Sequence, residues 1–212
     1  MQYIIMCGGK YDRWQQTPKQ LSIVNGEPVV ARTIRLLHEN GVTDIAISSN
    51  DPRFDDFGVP VLHHENNYHD ASDGHYGLWC ECFYPMDEPC CYLFGDVVFS
   101  PEAIKTIVNT DTRDVEFFAS APPFGENYIK SWAEPFAFKV QDQKHFKESL
   151  IKVEELKDHF KRDPIAWECW QVIKGTLINK IDYTNYTVIN DYTCDIDGAR
   201  DIKKFNDMFD NL

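Results

Sequence analysis

Short apolar runs alternate with segments of helical periodicity along this chain, and this alternation restricts its fold more than any other feature. Tyr3 to Cys7 is the first run of strand length. Between residues 28 and 40, the apolar side chains of Val30, Ile34 and Leu37 recur at the spacing of a helix. Alternation of strands and helices is typical of α/β proteins in which most strands run parallel. The sequence therefore predicts an α/β fold with a mainly parallel sheet.

The rest of the chain continues the alternation. Further strands are predicted over TDIAISSN, VPVLHH, CCYLFGDVVF, VEFFASA and EPFAFKV, with a last strand running from YTVIN into TCDID. A helix is predicted from Asp73 to Tyr84, and ARDIKKFNDMF forms the closing helix. Pro164 divides the segment from Gln143 to Lys174 into two helices, because proline cannot continue a helix. No repeat or linker interrupts the chain, so we expect one domain over residues 1–212 with a helical insertion around 141–175.

Composition and charge exclude several classes of function. The 212 residues carry a net charge of −13, and no basic run with interleaved aromatics marks a nucleic-acid surface. No polybasic stretch suggests anionic lipid, and no apolar run approaches the roughly 20 residues that cross a bilayer. YIIM is too short for a signal peptide. We therefore expect a soluble, cytoplasmic protein that binds neither nucleic acid nor membrane.

The seven cysteines raise the question of a zinc site or of disulfides. Cys80, Cys82, Cys90 and Cys91 are the densest group, but the first two fall on a predicted helix and point in different directions. The number is odd, and a reducing compartment keeps cysteines as thiols. Buried thiols are therefore favoured over a metal site.

Cations follow the first apolar run in an otherwise acidic chain. Gly8 and Gly9 form a turn at its end, and Lys10, Arg13 and Lys19 come next. In a βα unit this turn lies at the carboxyl edge of the sheet, where ligands of α/β folds bind. Glycines let backbone N–H groups approach phosphate oxygens, and arginine and lysine add charge. The pattern matches neither a Walker loop nor a dinucleotide fingerprint, so it indicates either an anion site or a plain solvated turn.

At this point the chain resembles a known family. MCGGKYDRW followed by TPKQL is similar to the signature of nucleotidylyltransferases of the sugar-phosphate and cytidylyltransferase type, although Tyr11 stands where many members have another glycine. GGKxxR resembles the molybdopterin guanylyltransferase branch, whereas PKQL resembles cytidylyltransferases such as the one acting on methylerythritol phosphate. The helix and second strand in NGEPVVARTIRLLHENGVTDIAISSN also resemble the family. The resemblance implies a Rossmann-like three-layer α/β/α sandwich with a mixed, mainly parallel sheet.

The resemblance returns at FGDVVF and at CDIDGARDIKKFN, and there it implies a metal site. By these matches Asp96 and Asp197 would bind Mg²⁺, and Asp201 would belong to the closing helix. Asp195 is an alternative second ligand because it is only two residues away. Two carboxylates at strand ends suit a hard cation such as Mg²⁺, which also binds substrate phosphates.

The resemblance also implies where the nucleotide binds. Arg13 and Lys19 would act in catalysis by stabilising the triphosphate. In HHENNYHDASDGHYG, which holds four histidines, polar loop residues are favoured over a transition-metal site. The residues expected to hold the nucleotide, including its base and ribose, are Cys7, Gly8, Gly9, Lys10, Ser72 and Asp73.

The acceptor would be met by the later, aromatic-rich segments. Lys130, in NYIKSW, is expected to contact the acceptor phosphate, with a solvated surface lysine as the alternative. Trp167 and Trp170 are expected to pack in the core rather than bind a ligand.

The implied reaction is Mg²⁺-dependent transfer of CMP from CTP to a small phosphorylated acceptor, with release of pyrophosphate. A polyol phosphate or a choline-like phosphate is the expected acceptor, and the product would be an activated precursor for a surface polysaccharide. The alternatives are a guanylyltransferase of the molybdopterin type, a nucleotide-sugar-dependent glycosyltransferase and a non-catalytic nucleotide-binding domain. The glycosyltransferase would want a DxD motif in mid-chain, whereas DID lies near the C-terminus. A homodimer is left open.

Overall fold

The computed structural model of the chain describes residues 1–8, 17–64, 79–121, 129–130, 132–156 and 164–211. The described helices are α1 (Val29–Glu39), α2 (Pro101–Asn109), α3 (Gln143–Glu155), α4 (Ala166–Ile173) and α5 (Ala199–Phe209), with 3₁₀ turns at Lys19–Leu21, Pro52–Phe54 and Trp79–Cys82. The described strands are β1 (Gln2–Met6), β2 (Ile23–Val24), β3 (Glu27–Pro28), β4 (Ile45–Ser49), β5 (Val61–His63), β6 (Cys90–Phe94), β7 (Val97–Val98), β8 (Val115–Ala119), β9 (Pro135–Val140), β10 (Thr187–Val188) and β11 (Cys194–Asp195).

Seven of these strands form the central sheet, in the order β10-β8-β9-β6-β1-β4-β5. β9 runs antiparallel to both of its neighbours, whereas the other strand pairs of the sheet are parallel. The predicted mixed, mainly parallel sheet is confirmed. Because β9 is reversed, the residues that precede it lie at the edge where β1 and β6 end.

Helices cover both faces of the sheet. Tyr3 and Ile5 pack in one core with side chains from α1 and α2, whereas Ile4 and Met6 pack in a second core with side chains from α3 and α4. This alternation follows from the two-residue period of a strand and confirms the predicted three-layer sandwich. α5 lies elsewhere, in a smaller core that it shares with β2, β7 and β11.

The second core is rich in aromatic rings. Phe117 stacks on Phe138 with ring centroids 4.6 Å apart, and Trp167 meets Phe117 edge to face. Trp167 is 3% exposed and Trp170 is 1% exposed, so both tryptophans pack in the core as expected. Buried aromatic side chains each contribute about 1.5–3 kcal/mol through burial, which anchors α4 on the sheet.

No helix is predicted for residues 101–109, yet the chain forms α2 there. Ser100 caps its start by accepting a hydrogen bond from the backbone N–H of Ala103, and Pro101 occupies the first turn. At the other end, the buried Lys139 of β9 donates to three backbone carbonyls, those of Ile107, Val108 and Thr110. α2 is therefore held at both ends by a cap and by a distant lysine, and the spacing of apolar residues does not reveal either of them.

The prediction of one last strand from YTVIN to TCDID is wrong. β10 extends the central sheet beside β8, whereas β11 pairs antiparallel with β7 in a separate small sheet. Between them, Asp191 accepts hydrogen bonds from the hydroxyl of Ser100 and the backbone N–H of Thr193, which turns the chain away from the central sheet. The turn carries β11 to the carboxyl edge of β6.

The helix predicted from Asp73 to Tyr84 begins outside the described residues. Its described part is a 3₁₀ turn, Trp79–Cys82, and not an α-helix continuing to Tyr84. All seven cysteines lie in the described part of the chain, and none forms a disulfide. Among the described helices, none is long and apolar enough to cross a membrane.

Candidate active site

The carboxyl ends of β1 and β6 touch at a glycine. The backbone N–H of Gly95 donates to the carbonyl of Met6 at 3.1 Å, and a Cβ on Gly95 would lie 2.4 Å from that carbonyl oxygen and 2.8 Å from Sγ of Cys7. Only glycine fits this close approach. Burial, with a smaller contribution from the negative charge of Asp96, raises the pKa of the Cys7 thiol well above its ordinary value.

Lys19 approaches the same edge from the 3₁₀ turn after Pro18. Its Nζ lies 2.9 Å from Oδ2 of Asp96 and 3.6 Å from Oδ1 of Asp197. Burial opposes the charged form, but the attraction and hydrogen bond of Asp96, helped by Asp197, raise the pKa of Lys19 above its ordinary value. Lys19 therefore stays positively charged between the two predicted metal ligands.

The small sheet of β7 and β11 joins the two acidic motifs. The backbone N–H of Ile196 donates to the carbonyl of Asp96 at 2.9 Å, so the Asp-Ile-Asp segment lies directly beside the Gly-Asp turn. The carboxylate of Asp201 accepts from the backbone N–H groups of Asp197 and Gly198 at the start of α5. Asp201 thus belongs to the closing helix, as expected, and fixes the backbone of Asp197.

Lys130 lies in the middle of the acidic residues. Its Nζ donates to Oδ1 of Asp195 at 2.5 Å, to Oδ2 of Asp197 at 2.6 Å and to Oε1 of Glu134 at 3.1 Å. Burial opposes its charge, but Asp195 and Glu134 raise the pKa of Lys130 well above its ordinary value. The side chain is 3% exposed, so the alternative of a solvated surface lysine is wrong.

Glu134 is a site residue that the sequence analysis does not predict. It precedes Pro135 at the start of β9, and an antiparallel strand begins at the edge where parallel strands end. A carboxylate just before such a strand is the signal that could have indicated it. The indole N–H of Trp132 donates to the same Oε1 that accepts from Lys130.

The three carboxylates beside Lys130 differ in their affinity for protons. Burial, and then the charges of Glu134 and Asp96, raise the pKa of Asp195 well above its ordinary value. Burial also raises the pKa of Glu134. For Asp197 burial acts in the same direction, but the hydrogen bond and charge of Lys130, with the charge of Lys19, lower its pKa. Asp197 is thus the carboxylate that keeps its negative charge most firmly.

The acidic residues fit a hard cation. Glu134, Asp195 and Asp197 each place a carboxylate oxygen within 4.8 Å of the others, the sole group of this kind found among the described residues. Asp96 joins them through Lys19, whose ammonium lies between Asp96 and Asp197. Four carboxylates against two ammonium groups leave the edge formally negative, and all of these ligands are the oxygen donors that Mg²⁺ prefers.

The structure brings together the predicted residues that it describes. Lys19, Asp96, Asp197 and Lys130 meet in one cluster, and Cys7 with Gly8 lies at the end of β1 beside it. The other predicted nucleotide-site residues lie outside the described part of the chain, namely Gly9, Lys10, Arg13, Ser72 and Asp73.

Comparison with known proteins finds one family model that matches most of the chain. A family model described as a MobA-like NTP transferase domain matches residues 3–146. That range contains the glycine turn, Lys19, Asp96, Lys130 and Glu134. No curated protein matches the chain.

Solved structures share the fold at low sequence identity. A Bacillus anthracis protein described as a glucose-1-phosphate thymidylyltransferase matches with a TM-score of 0.62 at 16% identity, over 100% of this chain and 96% of that one. The 4-diphosphocytidyl-2C-methyl-D-erythritol synthase of Anaerococcus prevotii matches with a TM-score of 0.59 at 14% identity, over 99% and 95%. The inositol-1-phosphate CTP transferase of T. maritima matches with a TM-score of 0.55 at 15% identity, over 100% and 97%.

Proposed function

The chain belongs to the family of MobA-like NTP transferase domains and is a nucleotidyltransferase, and from this premise we propose that it is a Mg²⁺-dependent cytidylyltransferase. It transfers CMP from CTP to a small phosphorylated acceptor, a polyol phosphate or a choline-like phosphate, and releases pyrophosphate. The observation that carries the proposal is the pair of lysines that share Asp197 at the carboxyl edge of the sheet.

In the proposed reaction an oxygen of the acceptor phosphate attacks the α-phosphorus of CTP. A new phosphorus–oxygen bond forms, the bond to the β-phosphate oxygen breaks, and its electron pair leaves with pyrophosphate. The acceptor phosphate needs no general base, because its second pKa is about 6 and it is already largely ionised near neutral pH. The work of the protein is therefore positioning and charge stabilisation.

The site residues that the structure describes divide this work among them. Lys19 offers its ammonium to the triphosphate, and Lys130 offers its own to the acceptor phosphate. Asp96 and Asp197 would hold Mg²⁺, with Asp195 next to them. When bound, the cation supplies charge that offsets the phosphates and orients them. Outside the described residues, Arg13 and the amides of the glycine turn would complete the triphosphate site, and Ser72 and Asp73 would contact the base and ribose.

Two features support CTP as the donor. The PKQL element resembles that of cytidylyltransferases, and two of the structural neighbours are named for CTP or cytidyl chemistry. The T. maritima neighbour is named for inositol-1-phosphate, a polyol phosphate, which agrees with a small acceptor. The proposal that the product is an activated precursor for a surface polysaccharide rests on the family resemblance.

A guanylyltransferase of the molybdopterin type is the second candidate. It is favoured by the GGKxxR spelling and by the MobA-like family model. This candidate predicts GTP rather than CTP as the donor.

The test is pyrophosphate release by the full chain with each of the four NTPs and Mg²⁺, against a panel of polyol monophosphates and choline phosphate. We expect release with CTP, dependence on one acceptor and loss with a chelator. Release with GTP alone would favour the second candidate. No release with any pair, from protein that unfolds cooperatively, would contradict the proposed function.

A further inference from the structure

The ammonium group of Lys130 is saturated by its own protein. It has three protons, and it donates to Glu134, Asp195 and Asp197. A phosphate oxygen can bind this ammonium only if one of the three carboxylates gives way. The question is which partner is exchanged and which partners hold the lysine in place.

The three partners are unequal in exposure. The side chains of Glu134 and Asp195 are 13% and 15% exposed, whereas that of Asp197 is 56% exposed. Asp197 is also shared, because its other oxygen lies 3.6 Å from Nζ of Lys19. Asp197 is therefore the partner with the most room to turn towards another cation or solvent, whereas Glu134 and Asp195 are largely enclosed by protein.

Glu134 is itself rigidly placed. Its backbone N–H donates to the hydroxyl of Ser120 at 2.9 Å, and its carbonyl accepts from the backbone N–H of Ser120 at 2.9 Å. Its carboxylate receives the indole N–H of Trp132, an exposed ring whose centroid lies 5.7 Å from Nζ of Lys130. Glu134 thus accepts a hydrogen bond from Lys130 at a strand end that two hydrogen bonds to Ser120 hold in place.

The backbone beside Lys130 is also held. Ile129 is 6% exposed and packs with Val24, Val98 and Phe205 in the small core that α5 shares. Lys204 of α5 donates to the carbonyl of Ile129 at 2.6 Å. These contacts hold the chain next to Lys130, so the position of its ammonium group depends on the contacts at the end of the side chain. Glu134 supplies one of those contacts.

From these contacts we propose that Glu134 is a positioning residue for Lys130. It holds the ammonium at the sheet edge while Asp197 is exchanged for an oxygen of the acceptor phosphate. A lysine that is already ordered loses less rotamer entropy when the acceptor binds, so Glu134 acts on acceptor affinity through Lys130. This inference rests on the proposed role of Lys130 in the transfer reaction.

The test is a double-mutant cycle on the full chain with Glu134→Ala, Lys130→Ala and the double variant. Steady-state pyrophosphate release is measured with the active NTP and the panel acceptor of highest turnover. We expect Glu134→Ala to raise the acceptor KM about tenfold, the scale of one hydrogen bond to a charged group, and to leave the NTP KM unchanged. In the Lys130→Ala background the same substitution should have no further effect.

Two further variants separate positioning from a structural role. Glu134→Gln keeps an oxygen that accepts from Lys130 and Trp132, so it should recover part of the acceptor affinity, and it also serves if Glu134→Ala fails to fold. Glu39→Gln, which removes the charge that pairs with Arg35 on the exposed face of α1, should change neither KM.

The possible failures are distinguishable. If Lys130→Ala raises the acceptor KM and Glu134→Ala does not, the inference is wrong and the proposed function stands. The same holds if Glu134→Ala multiplies the defect of Lys130→Ala, because Glu134 would then act independently. If Lys130→Ala leaves the acceptor KM unchanged, the role of Lys130 and the inference both fall. If no nucleotide supports pyrophosphate release, the proposed function falls with them.

Discussion

The two lysines at the sheet edge lie in different surroundings, although Asp197 contacts both. The side chain of Lys19 is 28% exposed and has one close carboxylate partner, Asp96, with Asp197 farther away. The side chain of Lys130 is 3% exposed and has three close partners. In the proposed function one edge addresses two anionic substrates, with the more exposed cation, Lys19, on the nucleotide side and the pre-positioned cation, Lys130, on the acceptor side.

This difference agrees with the two proposed tasks, which are binding of the triphosphate by Lys19 and binding of the acceptor phosphate by Lys130. In the proposed function a triphosphate would also contact Arg13 and the amides of the glycine turn, so Lys19 would need less preparation. A small acceptor offers one phosphate, and a lysine that is already ordered saves part of the entropy cost of binding it. The following substitutions test whether the Lys19 side of the site, proposed for the nucleotide, and the Lys130 side, proposed for the acceptor, act separately.

Asp96→Asn should have the largest effect. It removes the charge that holds Lys19 and one of the two predicted Mg²⁺ ligands, so turnover should fall by at least about a hundredfold, the loss typical of one preorganised electrostatic group. Steady-state pyrophosphate release measures this loss. Circular dichroism should show an unchanged fold, and near-normal Mg²⁺-dependent turnover would remove Asp96 from the site.

The Asp-Ile-Asp segment tests which carboxylate connects the two sides. Asp197→Asn should lower turnover nearly as much as Asp96→Asn, because Asp197 contacts both lysines. Asp195→Asn should be milder, since Asp195 contacts Lys130 but lies farther from Lys19. The same turnover assay ranks the two, and the reverse order would mean that Asp195 is the second metal ligand.

The Lys19 side of the site could be predicted from sequence, and much of the Lys130 side could not. Lys19 and Asp96 follow the parallel strands β1 and β6, whose ends meet at one edge by topology, and Asp197 stands in the Asp-Ile-Asp motif that the family resemblance singles out. Glu134 reaches that edge only because β9 is antiparallel, and the apolar run EPFAFKV does not give a strand's direction. The small sheet of β7 and β11 was also missed, because two-residue strands carry no periodicity.

Gly95→Ala should affect both sides through the fold. A Cβ would meet the carbonyl of Met6 at 2.4 Å, so β1 and β6 must separate at the point where Asp96 begins its turn. We expect a loss of about 1–3 kcal/mol in the free energy of unfolding, the range for overpacked sites, measured by urea denaturation. Gly198→Ala is the control, since nothing lies within 4 Å of its Cβ position. Equal stability of the two variants would contradict the close approach.

Trp132→Phe should have the smallest effect, and only on the Lys130 side. It removes the indole N–H that donates to Glu134 but leaves the contacts of Lys130 with its carboxylates. We expect the acceptor KM to rise only about twofold, because Trp132 is exposed and Lys130 keeps all three of its carboxylate contacts. Initial rates at varied acceptor concentration measure the change, and a larger rise would place the ring in contact with the acceptor.

The separation of the two sides is tested most directly by comparing Lys19→Met with Lys130→Met in the same assay. Methionine removes each charge and keeps most of the side-chain volume, and both KM values are measured for each variant. We predict that Lys19→Met raises the KM for the nucleotide and that Lys130→Met raises the KM for the acceptor, each with little effect on the other substrate. If both substitutions raise the same KM, the two lysines serve one substrate, which would contradict two separate sides.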